Sequence, residues 1–234
     1  MLEKILEEGA GELGIAVSRE EASQFLIYLE ELISWNRKIN LTSITDGREI
    51  IVKHFLDSIL PLSVFPIKEQ LVLDIGAGAG FPGIPIKILR PAITLTLIES
   101  VKKKVKFLER IIKVLDLKNS VALCGRAEDL ASENRGKYDI VLSRAVAPLN
   151  ILLEYSLPFV RVGGVALALK GPGVHDEITS SENALSVLGG AIEDVKKVKL
   201  PLMDAVRTVV IVKKHSETPA KYPRRAGTAK KKPL

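Results

Sequence analysis

Three alternating glycines, Gly76, Gly78 and Gly80, lie between an apolar run from Leu71 to Ile75 and a helical run from Pro82 to Leu89. Glycine lets a backbone turn tightly and approach a ligand that a Cβ would push away. A short apolar run that ends in glycines reads as a buried parallel strand. Pro82 is tolerated near the first turn of the helix that follows. Strand, glycine loop and helix together make the opening unit of a doubly wound sheet.

The rest of the chain keeps that alternation. Strands are predicted at Ile93–Ile98, Val121–Cys124, Ile140–Ser143, Val165–Lys170, Ile192–Leu200 and Arg207–Lys213. Helices fall at Val101–Leu115, Leu149–Val160 (with Pro158 near its end) and Glu177–Leu188. The inner stripe of the first of these is Val105, Leu108, Ile112 and Leu115. The expected fold class is α/β: a Rossmann-like, mostly parallel sheet of seven strands over residues 67–214. Residues 1–66 read instead as a helical extension packed on it. Ser18-Arg-Glu-Glu21 is a capping-box pattern, and Asp46-Gly-Arg-Glu49 opens another helix with Ile50, Ile51, Phe55 and Ile59 on its apolar side. Aromatic residues are only 5% of the chain, so the core must be built from Leu, Ile, Val and Ala.

Several function classes are excluded early. The single cysteine, Cys124, precludes an intrachain disulfide, and it is expected to be buried in the third strand. His54, His175 and His215 are scattered without metal-ligand spacing, so no metal is expected. The N-terminus lacks a signal-peptide pattern and no apolar stretch reaches spanning length, so the expectation is a soluble, cytoplasmic, monomeric protein without membrane contact. The net charge is +6, and it is uneven. From His215 to Leu234, Lys221, Arg224, Arg225, Lys230, Lys231 and Lys232 stand against Glu217 alone. A near-neutral body with a basic arm at 215–234 points to a polyanionic partner. Pro219, Pro223, Gly227 and Pro233 interrupt the arm, so an extended segment that contacts the phosphates of such a partner is expected.

The glycine loop leaves the ligand open between two classes. Gly78, Gly80 and Gly83 satisfy the dinucleotide pattern G-x-G-x-x-G, which suits an NAD-dependent oxidoreductase. The register Asp74-x-Gly76-x-Gly78-x-Gly80 resembles motif I of class I methyltransferases, where the acidic residue lies near the amino-acid part of S-adenosylmethionine. No tyrosine is followed four residues later by a lysine, so the pair used by short-chain dehydrogenases is absent. Glu99, at the end of the second strand, is placed to accept hydrogen bonds from both ribose hydroxyls, and equally to cap the next helix. Ala127 and Glu128 fall where such folds contact adenine.

A wider resemblance is carried by Leu73-Asp-Ile-Gly-Ala-Gly-Ala-Gly-Phe-Pro-Gly-Ile-Pro, Asn40-Leu-Thr42, Lys53-His-Phe-Leu-Asp-Ser58, Arg126-Ala-Glu128, Ser143-Arg-Ala-Val-Ala147 and Tyr222-Pro-Arg-Arg-Ala-Gly-Thr228. These segments resemble the bacterial small-subunit rRNA methyltransferase G family, also called glucose-inhibited division protein B. The resemblance implies methylation of one guanine N7 in 16S rRNA within the decoding region of the small ribosomal subunit. It implies cofactor contacts by Gly76, Phe81, Ala127, Glu128 and Arg144. One departure is Lys53, where the family has arginine; the charge stays but bidentate geometry is lost.

The chemistry agrees with that implication. Guanine N7 carries a lone pair, so alignment rather than a general base is the main requirement. The chain lacks the Asn/Asp-Pro-Pro-Tyr motif expected for attack by an exocyclic amine, and Ser143-Arg144-Ala145-Val146 stands at the corresponding strand end. Arg144 suits a phosphate, a carboxylate or guanine O6. His54 and Asp57, three apart on one helix face, either line the substrate mouth or form a local pair. A non-catalytic RNA-binding or assembly protein is the remaining alternative, and the complete cofactor loop counts against it.

Overall fold

A computed structural model describes all residues, Met1–Leu234. In chain order the elements are α1 (Leu2–Glu12), α2 (Arg19–Asn36), α3 (Gly47–Ile50), a π-helical segment (Ile51–Leu56), α4 (Asp57–Ile59), a 3-10 turn (Leu60–Ser63), β1 (Leu71–Ile75), α5 (Gly83–Leu89), β2 (Thr94–Glu99), α6 (Lys102–Val114), β3 (Ser120–Cys124), α7 (Ala127–Asn134), β4 (Tyr138–Arg144), α8 (Leu149–Ser156), β5 (Val160–Lys170), α9 (His175–Thr179), α10 (Glu182–Leu188), β6 (Gly190–Lys199), β7 (Val206–Lys214) and α11 (Thr228–Lys231). The seven strands form one sheet in the order β3-β2-β1-β4-β5-β7-β6. The five strands from β3 to β5 run parallel, and β7 enters antiparallel between β5 and β6. Strand order reverses between β1 and β4, where Ile75 pairs with Ser143. A crevice at such a switch point, outside the carboxyl ends of the strands, is where this architecture binds ligands.

Successive strand residues alternate between two cores, as a period of two requires. Val72 and Leu142 face one, Leu73 and Val141 the other. The first core also takes Leu6, Phe25, Tyr28, Leu29 and Phe55 from the N-terminal helices. Those helices therefore have no core of their own; they complete one face of the sheet.

Local sequence explains the element boundaries. The Ser18 hydroxyl accepts from the Glu21 amide at 3.2 Å, and the Glu21 carboxylate accepts from the Ser18 amide at 2.7 Å. This reciprocal pair satisfies two amides that would otherwise be orphaned at the start of α2. Asp46 caps α3 through the Glu49 amide at 2.9 Å. The helix it opens then widens into the π segment, which the apolar spacing did not foretell. Other differences are small: the helix expected at Leu149–Val160 ends at Ser156 and Val160 opens β5, α7 adds a helix not expected, the expected helix 177–188 breaks into α9 and α10, and the buried stripe of α6 turns toward Phe107 and Ile111, with Ile112 only half-buried.

Two expectations need correction. Cys124 is exposed. It ends β3, the edge strand, so nothing covers it in the way that central strands are covered. The basic arm is not free either. Tyr222 is only 7% exposed and joins the second core. Arg224 meets the Glu154 carboxylate of α8, donating from Nε at 2.9 Å and from Nη2 at 2.5 Å, while its backbone amide donates to the same group at 2.8 Å. Glu154 is 1% exposed. A buried carboxylate must be paired, and this one fixes the arm against α8. Despite Gly227 and Pro233, the arm ends in the short helix α11.

Removing one partner of a buried, hydrogen-bonded ion pair strands the other charge. Arg224→Ala should therefore lower the free energy of unfolding by about 3 kcal/mol in a denaturant titration. A loss below about 1 kcal/mol, the range of an exposed pair, would contradict that pairing.

Candidate functional site

The loop after β1 is held from three sides. From below, the buried Asp74 accepts the Gly83 amide at 2.8 Å through Oδ2, tying β1 to the start of α5. From the side, Glu99 at the end of β2 accepts the Gly78 amide at 3.0 Å and the Val101 amide at 2.8 Å. From the N-terminal extension, the Tyr28 hydroxyl donates to the Ala79 carbonyl. Tyr28 is fully buried and stacks on Phe55 at 5.1 Å between ring centres. The three glycines have left-handed φ values of 70°, 60° and 98°, which side chains rarely adopt. Their surroundings differ. A Cβ on Gly76 would come within 2.9 Å of Val146, and one on Gly80 within 2.6 Å of the Tyr28 hydroxyl. A Cβ on Gly78 would meet nothing closer than 3.9 Å, so its outer face is open.

Two cavities flank this loop. The first, of about 400 Å³, is lined by Gly76, Glu99, Ser100, Gly125, Arg126, Ala127, Glu128, Val146, Tyr155 and Lys230. It collects the carboxyl ends of β1, β2 and β3. The second, of about 630 Å³, is lined by Lys53, His54, Asp57, Arg144 to Pro148, Lys170, Glu177 and Arg207. Val146 lies in the walls of both. It is placed there by Ala145, whose φ of 55° reverses the chain directly after β4.

Arg144 organises the second cavity. Its Nη1 donates to Asp57 Oδ2 at 2.8 Å and to the Lys53 carbonyl at 3.2 Å, and its guanidinium lies 5.0 Å from the centre of the Phe81 ring. Arg207 of β7 takes the other Asp57 oxygen at 2.8 Å. His54 stacks on Phe81 at 4.8 Å, and its Nδ1 faces Arg144 Nη2 at 3.3 Å. Arginine only donates, so Nδ1 accepts; the ring proton is then on Nε2, which donates to Thr42 Oγ1 at 2.7 Å. Thr42 is held by Asn36, which accepts its amide at 3.0 Å and donates to its carbonyl at 2.9 Å. Burial, reinforced by the Arg144 charge, pushes the His54 imidazole down to about 4 against the opposing pull of Asp57. His54 is therefore neutral at pH 7, with both nitrogens engaged.

The predicted positions divide as follows. Gly76, Glu99, Ala127 and Glu128 line the first cavity, while Arg144, His54 and Asp57 line the second. His54 and Asp57 do not pair with each other; both meet Arg144. Asp74, Gly80 and Phe81 lie beneath the cavities, supporting the loop and the Arg144–His54 stack. Glu99 lines the first cavity, and its carboxylate accepts the amide of Val101, the residue that precedes α6, without capping an amide of the helix itself. Of the basic arm, Lys230 lines the first cavity, Arg224 is spent on Glu154, and Lys221, Arg225, Lys231 and Lys232 are exposed. Tyr28, Asn36, Lys170 and Arg207 went unnoticed. An aromatic at helical spacing reads as core, and no local pattern announces the distant partners of Tyr28 and Arg207; Asn36 and Lys170 bond nearer residues, across turns whose geometry the apolar spacing does not encode. No group of three or more His, Cys, Asp or Glu side chains is arranged to hold a metal ion, and no helix is long and apolar enough to cross a membrane.

Known proteins resemble this one at two levels. A family model described as rRNA small subunit methyltransferase G matches residues 21–206. Proteins called ribosomal RNA small subunit methyltransferase G align along nearly the whole chain. That of Alkaliphilus metalliredigens is 44% identical over 98% of each chain. That of Acetivibrio thermocellus is 46% identical over 100% of this chain and 97% of its own. Among solved structures, M. jannaschii TYW2 in complex with AdoMet superposes with a TM-score of 0.56 at 19% identity, over 73% of this chain and 77% of that one. Aeropyrum pernix fibrillarin with bound S-adenosyl-L-methionine gives 0.52 at 16%, over 67% and 73%. At such identities the structures establish the fold, that of class I methyltransferases.

The buried Asp74 supplies a test of this geometry. Burial is the main cause of the rise of its carboxyl to about 7; the Gly83 amide and Arg144 oppose the shift, and Glu99 adds to it. The folded protein then holds a proton that the unfolded chain releases near its ordinary value of 3.8. A raised folded value means a contribution that is complete below pH 3.8 and is lost as pH rises through 7. Asp74→Asn cannot titrate. The unfolding free energy of the parent relative to that variant should therefore fall between pH 4 and pH 8. A difference that stays constant over this range would show that Asp74 is ionised throughout.

Proposed function

The chain belongs to the rRNA small subunit methyltransferase G family, and from that premise we propose that it transfers a methyl group from S-adenosylmethionine to the N7 atom of a guanine in 16S rRNA. The observation that carries the proposal is the pair of cavities meeting at Val146, one with Glu99 and Glu128 balanced by Arg126 and Lys230, the other with a surplus of cations.

The first cavity fits the cofactor. Glu99 and Glu128 offer acceptors for ribose hydroxyls and the adenine amino group. The open face of Gly78 leaves a cradle that a side chain there would fill, while Val146 already closes over Gly76. When bound, the cofactor supplies a methyl group on a positively charged sulfur, which a neutral nitrogen lone pair can attack. The second cavity fits the base and its phosphates. Lys53, Arg144, Lys170 and Arg207 outnumber Asp57 and Glu177 there. Asp57 fixes Arg144 in one orientation, with Phe81 beneath it, so that the guanidinium presents a rigid donor edge. Guanine N7 has no proton to lose. His54 is already committed to Arg144 and Thr42, and it serves to orient Arg144 rather than to accept a proton. Rate then comes from alignment of nucleophile and methyl and from exclusion of water.

The exposed cations of the arm, Lys221, Arg225, Lys231 and Lys232, are proposed to contact RNA phosphates. A monomer is proposed as the active unit. A ribosomal substrate implies a cytoplasmic protein.

Incubation with methyl-labelled S-adenosylmethionine and small ribosomal subunits from a strain lacking this activity should place label on one 16S guanine, at N7. Label at an exocyclic amine or on ribose would refute the reading. Gly78→Val should abolish cofactor binding in calorimetry, because the side chain enters the open face. Arg144→Ala should lower activity at least tenfold without creating a pH dependence near neutrality, because arginine stays charged across that range. Replacing Lys231 and Lys232 together by Gln should reduce the slope of log affinity against log salt by about 0.7 per lost phosphate contact. An unchanged slope would remove them from the RNA surface.

A further inference from the structure

The C-terminal segment reaches the first cavity by a built route. Tyr222 is anchored in the core beneath α8, and Arg135 of the α7–β4 turn donates to the Tyr222 carbonyl and, at 2.9 Å, to that of Thr218. Arg224 is locked on Glu154. Two residues beyond Arg225, the Gly227 amide donates to Glu128 Oε1 at 3.2 Å. Gly227, with a left-handed φ of 82°, turns the chain into α11, whose Ala229 is 1% exposed. That seat brings Lys230 to the cavity wall beside Tyr155 and Glu128. Lys231 and Lys232, the next two residues, do not line it.

We propose that residues 222–231 are part of the cofactor site, and that Lys230 is a cofactor-contacting residue at its adenosine end. The inference rests on the assignment of the first cavity to S-adenosylmethionine. Electrostatics places the contact at the adenosine end. The sulfur carries a positive charge and must face the second cavity, where the methyl is taken up. Gly76 and Val146 mark that side, and Lys230 lines only the first cavity. The adenosine half is neutral and rich in acceptors, its ring nitrogens and ribose oxygens, to which an ammonium donates without opposing the sulfonium. The neighbouring carboxylates Glu99 and Glu128 accept rather than donate, so Lys230 adds an ammonium donor to those of Ser100, Arg126 and Tyr155 in the same wall. Glu128 has two duties on this view. It faces the cofactor and it holds the Gly227 amide, so the seating of the arm and the filling of the cavity share one carboxylate.

The test is calorimetric titration of S-adenosylhomocysteine into the full-length protein, Lys230→Ala, Lys230→Arg and a chain ending at Ala226, which keeps the Tyr222 and Arg224 anchors. Lys230→Ala and the shortened chain should bind about fivefold or more weakly, as expected for loss of a charged donor. Lys230→Arg should restore most of the affinity, and the unliganded melting temperatures of the two Lys230 variants should match the parent. Saturating S-adenosylhomocysteine should slow hydrogen exchange at the Lys231 and Lys232 amides, which bond to Gly227 and Thr228 within α11. Parental affinity in both Lys230→Ala and the shortened chain, with exchange in α11 unaffected by ligand, would overturn the proposal. Gly78→Val separates the two levels. If it loses binding while the arm variants keep it, only the role of the arm fails; if it binds like the parent, the cavity assignment itself fails.

Discussion

The backbone between Ile75 and Phe81 reverses through three residues in left-handed conformations, and most of the site exists to hold that reversal. Left-handed backbone is free only to glycine, and glycine brings the conformational freedom that makes an unsupported loop mobile. Support comes from groups far apart in the chain: Tyr28 on the Ala79 carbonyl, Glu99 on the Gly78 amide, Asp74 on the Gly83 amide. The N-terminal helices therefore act on the cofactor loop directly. Without α2 there would be no Tyr28 beneath Gly80, and the close fit there, which would not admit a Cβ, would lose its wall.

The same economy governs the buried charges. Asp57 is 6% exposed, and a lone carboxylate at that depth would neutralise itself by taking a proton. Two arginines from different strands, Arg144 of β4 and Arg207 of β7, each take one of its oxygens. Their charges are thereby held at the cavity wall rather than folded away into solvent. The pairing costs some positive potential and gains a fixed direction for the guanidinium. For a reaction governed by alignment, direction matters more than net charge. His54 fits the same logic. Pushed down to about 4, it adds no charge that would compete with Arg144, yet it still accepts from that side chain.

What the sequence made legible is what local physics encodes. The capping box at Ser18, the Asp46 cap, the glycine loop and the strand–helix alternation each rest on contacts within a few residues. They gave the seven strands and the helical extension. The edge position of β3 depends on strand order, which no local pattern states, and so Cys124 was expected inside and lies outside. The π-helical turn at Ile51–Leu56 escapes for a similar reason: over six residues its apolar spacing is that of an ordinary helix, and it carries Lys53 and His54 to the wall of the second cavity. A signal for the seated arm was present. Glu154 stands in α8 among Leu152, Leu153 and Tyr155, in a helix with no basic residue, and a carboxylate in such a stretch needs a cation from elsewhere. The register of Tyr222-Pro-Arg-Arg225 answers that need through packing, where charge and the family resemblance had pointed to a polyanionic partner.

The two ends of the chain arrive at the sheet from opposite sides, and each contributes to a different cavity. Residues before β1 bring Lys53, His54 and Asp57 to the second, with Thr42 and Asn36 behind them. Residues after β7 bring Lys230 to the first. The sheet by itself supplies the carboxyl ends of its strands, the glycine loop and Arg144, a platform that distantly related proteins share at 16% to 19% identity. A platform of this kind fixes where a methyl donor sits, and it says little about the acceptor. The acceptor is chosen by what is added around the edge. In this chain those additions are helices that aim one arginine, and an arm whose remaining exposed cations, Lys221, Arg225, Lys231 and Lys232, lie within a few residues of its anchor on Glu154. Anchoring reduces the entropy that a free basic tail would lose on meeting a polyanion. It also sets the position of those cations relative to the loop.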